Sequence, residues 1–335
     1  MPLSPLRRLA FSLITLSAAI GLAVAGGEGL LRIVGFAYHP YPTKVQFGYP
    51  DPVTLEDRYV LDDDLFWVTQ DYAPSVRAWR RQRPSVVFMG CSCTQFSTYD
   101  RCFAALVRER HPAVQFRGVN AGVGGWTTFQ GLRQLQRDVI PMKPRIVTVY
   151  YGWNDHWTNF GVEDKVRDGY TFHRRGLRRL NRLRLVQLVG LLRVRCHQRF
   201  SAHEERVSPE DFRRNLEEMV RLARRHGIVP VLMTAPSAHT RGDEPTYLAK
   251  GFLKDLSNLV PVHQQYVTIV RQVAKEKGVA LVDLAANYAA LPIEDVKQKY
   301  FWKDGIHVSP EGDKKTAEFM YRAFETNGVL DLILR

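Results

Sequence analysis

Hydrophobic and polar positions follow three regimes along the chain. The first is an uncharged run from Leu9 to Gly27, preceded by Arg7 and Arg8 and followed by Glu28 and Arg32. Wound as a helix it would be roughly 28 Å long at about 1.5 Å per residue, close to the ~30 Å of a bilayer's hydrocarbon core. The second regime, residues 37–80, has no sustained period. It is rich in Pro, Tyr and Asp, with His39-Pro40-Tyr41-Pro42 and Asp62-Asp63-Asp64, and it predicts an irregular or short-stranded connection. From Ser85 onward short apolar runs alternate with helical patterns. The runs are Ser85–Met89, Phe116–Asn120, Ile146–Tyr151, Ile228–Thr234 and Val279–Leu284. They are rich in Val and Ile, which suits strands buried on both faces of a parallel sheet. The helical patterns are Tyr99–Arg110, Thr128–Val139, Pro209–His226 and His263–Lys277. Ser208-Pro209-Glu210-Asp211 reads as a helix start and His226-Gly227 as its stop. This alternation predicts an α/β doubly wound sheet.

Composition fits a globular protein with a large core: 335 residues, 45% hydrophobic and 24% charged. The 47 Lys and Arg against 34 Asp and Glu leave a net charge of +13, which draws a protein toward anionic partners. With neither paired Cys/His zinc spacing nor an RRM-like aromatic signature, nucleic acid is disfavoured, and a membrane surface is the better match. The N-terminal run agrees with that. It is long enough for an anchor, while Ala23-Val24-Ala25 also suits signal-peptide cleavage. Both readings export the rest of the chain and hold Arg7 and Arg8 on the cytoplasmic side.

Cys91, Cys93, Cys102 and Cys196 form no CxxC pair and no metal-ligand spacing. Cys91 and Cys93 are too close to bridge comfortably in a turn, and a Cys93–Cys102 disulfide is left open. Residues 160–205 interrupt the α/β alternation. Within them, 173–199 hold nine arginines, with Leu177, Leu180, Leu188 and Leu191 at helical spacing and Arg178, Arg179, Arg182 and Arg193 between. Two readings fit: a helix packed on the domain with a solvated basic face, or a basic amphipathic helix resting on anionic lipid.

Four short motifs carry the chemistry. Ser92 lies in Val-Val-Phe-Met-Gly-Cys-Ser-Cys-Thr (86–94). Asn-Ala-Gly-Val-Gly-Gly (120–125), Gly-Trp-Asn-Asp (152–155) and Asp-Gly-Ile-His (304–307) follow. Three of them stand at the carboxyl end of a predicted strand, where doubly wound sheets bind ligands. A serine between strand and helix sits on a sharp turn and needs a base to take its proton. His307 is the candidate base, and Asp304 is placed to fix its tautomer and stabilise the imidazolium. Singly, each motif is ordinary turn or loop chemistry.

Together, in this order, they resemble the SGNH (GDSL-type) hydrolases and acyltransferases over roughly Arg83 to Phe324. The resemblance implies a three-layer α/β/α flavodoxin-like fold with a five-stranded parallel sheet. A hydrolase domain over 83–335 would carry the 160–205 insertion, behind a juxtamembrane segment at 37–82 and a retained anchor or signal sequence at 1–36. It also implies catalytic Ser92, Asp304 and His307, with an oxyanion hole made of the Ser92 and Gly122 backbone N–H groups and the Asn154 amide. No metal and no cofactor are implied. Asp155 reads as support for the Asn154 loop. Trp126, Trp153, His156 and Trp157 either line the pocket or simply pack.

One departure stands out: the family's Gly-Asp-Ser is Gly90-Cys91-Ser92 here. A thiol cannot replace the carboxylate's hydrogen bonds, so the nucleophile turn must be braced otherwise. Cys91 is itself an alternative nucleophile, set aside because neighbours on a turn point different ways. The expected substrate is an acyl ester of a carbohydrate or lipid, with short acyl groups preferred because no long hydrophobic lid is legible. An O-acyltransferase acting on envelope polysaccharide and a non-catalytic glycan-binding envelope protein are the alternatives.

Overall fold

The five apolar runs form one sheet whose strands are all parallel. They are β1 Val86–Gly90, β2 Gly118–Asn120, β3 Ile146–Tyr150, β4 Val229–Met233 and β5 Ala280–Val282, in the spatial order β2-β1-β3-β4-β5. Each strand matches its predicted run to within about two residues, the usual uncertainty of an element's end. The computed structural model describes residues 4–38, 44–45, 53–54, 59–159, 161–169, 177–199, 204–249 and 252–334. His39-Pro40-Tyr41-Pro42, and Arg174 and Arg175 of the insertion, lie outside the described residues.

Every position of β1 and β3 is buried, as expected of parallel strands covered on both faces. Helices Tyr99–Arg110 and Pro310–Thr326 pack together, as do Thr128–Gln134, Pro209–Arg225 and Leu259–Lys277, giving three layers. The Pro209–Arg225 helix starts as its sequence indicates, with the Ser208 side chain accepting the Asp211 N–H. The predicted helix over Thr128–Val139 changes character part-way: it is α-helical to Gln134 and widens to a π-helix over Leu135–Val139.

Two compact units emerge, one of Met1–Tyr41 with Val166–Ser201 and one of Pro42–Lys165 with Ala202–Arg335. In the larger unit, residues 59–82 are more ordered than their composition suggests. Tyr59–Asp62 and Phe66–Thr69 pair antiparallel, and Tyr72–Gln82 is a helix. The Asp62 side chain accepts the N–H groups of Asp64 and Leu65, so the acidic run is turn chemistry. Leu65, Phe66, Trp67, Tyr72 and Val76 are buried. Trp67 Nε1 donates to Gly124 O, and Trp126 Nε1 donates back to Trp67 O, each at 2.9 Å. The hairpin therefore braces the 120–125 motif.

In the smaller unit, Pro5–Ile33 is one helix whose Ser4 side chain accepts the Arg7 N–H. Its stretch Leu9–Ile33 is long and apolar enough to cross a membrane and is unburied. The arginine-rich segment is not one continuous helix. A 3₁₀ turn over Arg178–Arg182 ends at an extended Leu183, and an α-helix follows over Arg184–Gln198. Leu177 caps the 3₁₀ turn that holds Leu180, and Leu188 and Leu191 lie on the α-helix. The α-helix packs against the N-terminal helix, a partner that neither sequence reading named.

Candidate active site

Ser92 opens a one-turn helix, Ser92–Gln95, immediately after β1. Asn154 lies on the loop after β3, the neighbouring strand. These loops flank the point where the strand order reverses, the usual ligand crevice of such sheets. As first residue of its helical turn, Ser92 has an N–H with no intrahelical acceptor.

The Asp304–His307 loop follows Phe301, which bridges to Val308. Gly305 turns the loop at φ +67, a left-handed conformation that glycine adopts without strain. A Cβ there would also stand 2.5 Å from His239 Cε1. Asp304 Oδ1 accepts the N–H groups of Ile306 and His307 at 2.9 Å each, and Asp304 Oδ2 lies 2.6 Å from His307 Nδ1. The other ring nitrogen, Nε2, is 2.8 Å from Ser92 Oγ. Beyond the loop, Ser309 caps the helix Pro310–Thr326 by accepting the Gly312 N–H. Asp313 on that helix accepts from the Ser97 hydroxyl and from Thr98 N and Oγ1, the latter two at 2.8 and 2.7 Å. This clamp joins the histidine segment to the chain just after Ser92.

The 120–125 loop rides on the same turn. Asn120 Nδ2 donates to Thr94 O at 2.7 Å, and Asn120 Oδ1 accepts the Gly122 N–H at 3.1 Å. A Cβ on Gly122 would stand 2.5 Å from Gln95 N, so the close approach demands glycine. The Gly122 N–H is therefore already engaged in this state. Asn154 Nδ2 donates to Trp126 O at 3.0 Å through one of its two N–H groups, leaving the second without an acceptor among the described residues.

A model of the GDSL-like Lipase/Acylhydrolase family matches residues 85–315, well over half of the chain. The chain belongs to this family. It is similar to the uncharacterized lipoprotein YqeF of Bacillus subtilis (strain 168), at 24% identity over 221 residues, covering 63% of this chain and 73% of that one. Two solved structures are also similar. The acetyl xylan esterase AlAXEase is 16% identical with a TM-score of 0.47, over 71% of this chain and 98% of its own. A GDSL-like lipase of Bacteroides thetaiotaomicron VPI-5482 is 17% identical with a TM-score of 0.48, over 76% and 98%. As a member of the GDSL-like family, the chain is a serine ester hydrolase.

Electrostatics in this GDSL-like site favour a charged pair. Burial alone would push the Asp304 carboxyl up, but the His307 hydrogen bond and charge and two backbone N–H groups hold it below the usual range. Burial pulls His307 down, and the hydrogen bond and charge of Asp304 outweigh it, leaving the imidazole raised. Cys91 is 2% exposed and free, and its thiol is lowered to about 7 by the hydrogen bond from Cys93, against burial. Cys93 is pushed up in return. Cys93 and Cys102 are not joined. In place of the missing carboxylate at 91, the turn is held by Asn120 on Thr94 O and by Asp313 on Ser97 and Thr98.

Trp126, Trp153, His156 and Trp157 are all buried. Trp153 stacks on His263 at 3.8 Å, and His156 Nε2 meets His263 Nδ1 at 3.1 Å, so these residues pack the core under the Asn154 loop. Asp155 Oδ1 accepts from Thr128 N and Oγ1, and burial raises its carboxyl to about 7. Sequence reasoning missed the buried Arg206–Asp164 pair, joined at 2.9 Å, whose Arg206 Nη1 also grips Gly125 O at 2.6 Å. It missed Asp313 too. The only local signal was the Ser309-Pro310 helix start; nothing in sequence ties Asp313 to Thr98. No group of three His, Cys, Asp or Glu able to hold a metal occurs among the described residues.

Proposed function

We propose that this chain is an exported, membrane-anchored serine esterase that hydrolyses short acyl esters of carbohydrate or lipid through an acyl-Ser92 intermediate. The observation that carries the reading is the Asp304–His307–Ser92 relay, with heavy-atom separations of 2.6 and 2.8 Å. Both lie within the range a general base needs.

In the first half-reaction His307 Nε2 takes the Ser92 proton as Oγ attacks the ester carbonyl. Negative charge gathers on the carbonyl oxygen, and the N–H groups of Ser92 and Gly122 with the Asn154 amide receive it. Gly122 would share its N–H between Asn120 Oδ1 and the oxyanion, or release the side chain, when substrate arrives. The tetrahedral species collapses, the C–O bond breaks, and the imidazolium returns its proton to the departing alcohol. Water, deprotonated by His307, then attacks the acyl carbon, the C–O bond to Ser92 breaks, and the imidazolium returns its proton to Ser92 Oγ as the carboxylic acid leaves. Asp304 stabilises the imidazolium in both halves.

Anchoring and export rest on the apolar stretch Leu9–Ile33 and on the arginines before it. The relative named as a lipoprotein supports envelope association. The test is turnover of p-nitrophenyl acetate and longer acyl esters by the full chain, beside Ser92→Ala. Loss of turnover in the variant, with rates falling as the acyl chain lengthens, is expected. Equal turnover in both proteins would overturn the assignment of Ser92.

A further inference from the structure

We propose that a groove at the amino edge of the sheet binds the phosphoryl group of a water-soluble ligand. It lies wholly within the larger unit, at the end of β1 remote from Ser92. The five residues of β1 separate the two by roughly 17 Å, at about 3.3 Å per residue. The site therefore stands apart from the ester chemistry.

Strand register builds it. Val86 of β1 pairs with Gly118 of β2 and with Ile146 of β3. One step earlier, Ser85, Arg117 and Arg145 therefore stand in a row across the edge. The ladder runs on through them: the Ser85 N–H donates to Arg117 O at 2.8 Å and the Arg145 N–H to Ser85 O at 3.1 Å. Two strand spacings put the arginine Cα atoms roughly 10 Å apart, with Ser85 between. Two more cations come from the chain just before β1 and β3. Arg83 ends the helix Tyr72–Gln82, and Lys143 ends the 3₁₀ turn Ile140–Met142. All four cations and Ser85 line one groove of about 480 Å³, with Ile333 and Leu334 of the helix Leu330–Leu334. Its volume is within the range of small-molecule sites.

Among the described residues no Asp or Glu lines the groove. The acceptors that hold the two edge arginines are neutral. Arg117 donates Nη1 to Gln82 O at 2.9 Å and Nη2 to Gln115 Oε1 at 3.4 Å, and Arg145 donates Nη1 to Leu332 O at 3.0 Å. Each guanidinium is thereby ordered while its charge stays uncancelled, and each keeps further N–H donors. Arg83 and Lys143 stand at φ +48 and +51, left-handed positions that helix stops ordinarily give to glycine. Lys143 follows a turn of only three residues, too short for a helix dipole to account for a charge there. A carboxylate has two coplanar oxygens, which one arginine fork satisfies. A phosphoryl group offers three oxygens in a pyramid and takes several cations at once. Four cations around one groove match the phosphoryl group. The groove's exposed lining is chiefly polar, which leaves no bed for acyl chains and favours a soluble carrier over a lipid.

The test is a phosphorus NMR titration of the full chain, in neutral detergent micelles, with glycerol phosphate at about pH 8, where the phosphate is a dianion. Saturable binding is expected, and Arg145→Gln and Lys143→Gly should each weaken it about tenfold, the loss of one charge-assisted hydrogen bond. Lys143→Gly also relieves the left-handed backbone, so its Tm should hold or rise while its affinity falls. No binding, or equal affinity in both variants, overturns the groove. Malonate, a dicarboxylate dianion, should displace glycerol phosphate only at about tenfold higher concentration. Displacement at equal concentration overturns the phosphoryl assignment. Dihexanoyl phosphatidic acid carries the same phosphate on acyl chains and should gain nothing in the groove. Tighter binding of the lipid that Arg145→Gln abolishes overturns the soluble carrier in favour of a headgroup. Ser92→Ala should bind glycerol phosphate as the unaltered chain does, whether or not Ser92 turns over esters. Turnover of p-nitrophenyl acetate should be indifferent to the ligand, and competitive inhibition would move the anion to Ser92 and overturn the groove.

Discussion

His307 Nε2 lies 2.8 Å from Ser92 Oγ although 215 positions separate them in the chain. The contact is set at both ends. Ser92 is placed by the end of β1, and His307 by the carboxylate of Asp304, which accepts both the His307 N–H and its ring nitrogen. Asp313 then ties the histidine segment back to Thr98. As the proposed relay it would lose little entropy in acting, because its groups are already ordered.

Asp304→Asn should lower kcat by on the order of 10⁴-fold with little change in KM. The amide can still orient the ring, but it presents no charge to the imidazolium and can favour the wrong tautomer. Steady-state kinetics on p-nitrophenyl acetate check this. A loss of less than tenfold would mean that Asp304 is not the orienting group.

The pH profile follows from the raised His307 imidazole. Catalysis needs the neutral ring, so kcat/KM should fall as pH drops through a value above the ordinary 6.5 of histidine, about tenfold per unit below it. Stability moves the other way. Because the folded imidazole is raised, its pairing with Asp304 stabilises fully below the unfolded value and is lost as pH rises through the folded one. In Asp304→Asn the acid limb should shift to lower pH, a displacement that mere loosening of the site would not produce.

Asn154→Ala should cost roughly 100- to 1,000-fold in kcat, the usual loss when one oxyanion donor is removed. The alanine also leaves Trp126 O without its 3.0 Å partner, so thermal unfolding should be followed in parallel. An unchanged kcat would exclude Asn154 from the oxyanion hole.

Arg206→Met should destabilise the fold by about 3–5 kcal/mol, because Asp164, 1% exposed, would be left charged without its partner. Gly125 O would lose its donor as well. The double variant Arg206→Met with Asp164→Leu should recover much of the loss, since no buried charge is then stranded. Denaturant unfolding of the two variants distinguishes a structural pair from a surface-like one.

Much of this protein is legible in its sequence because the information is local. Uninterrupted Val/Ile runs indicate strands buried on both faces, and the regular alternation with helices dictates a parallel sheet. Asp304-Gly305-Ile306-His307 is equally local: three residues and one glycine suffice to bring a carboxylate onto an imidazole. Ser92, Asn154 and His307 stand in motifs equally short, which is why sequence alone makes them candidates.

Tertiary structure decided what depends on contacts between distant segments. Cys91 in place of an acid gave no clue that Asn120 and Asp313 hold the Ser92 turn, since both act across the fold. The Asp62-Asp63-Asp64 run reads as part of an irregular or short-stranded connection, and only the folded hairpin around it shows Trp67 buried against Trp126. The arginine-rich segment shows its basic charge in sequence, but its partner helix comes from the start of the chain. Periodicity reports which face of an element is apolar. It carries nothing about which other surface covers that face, because apolar burial is non-directional and only the assembled packing selects the partner.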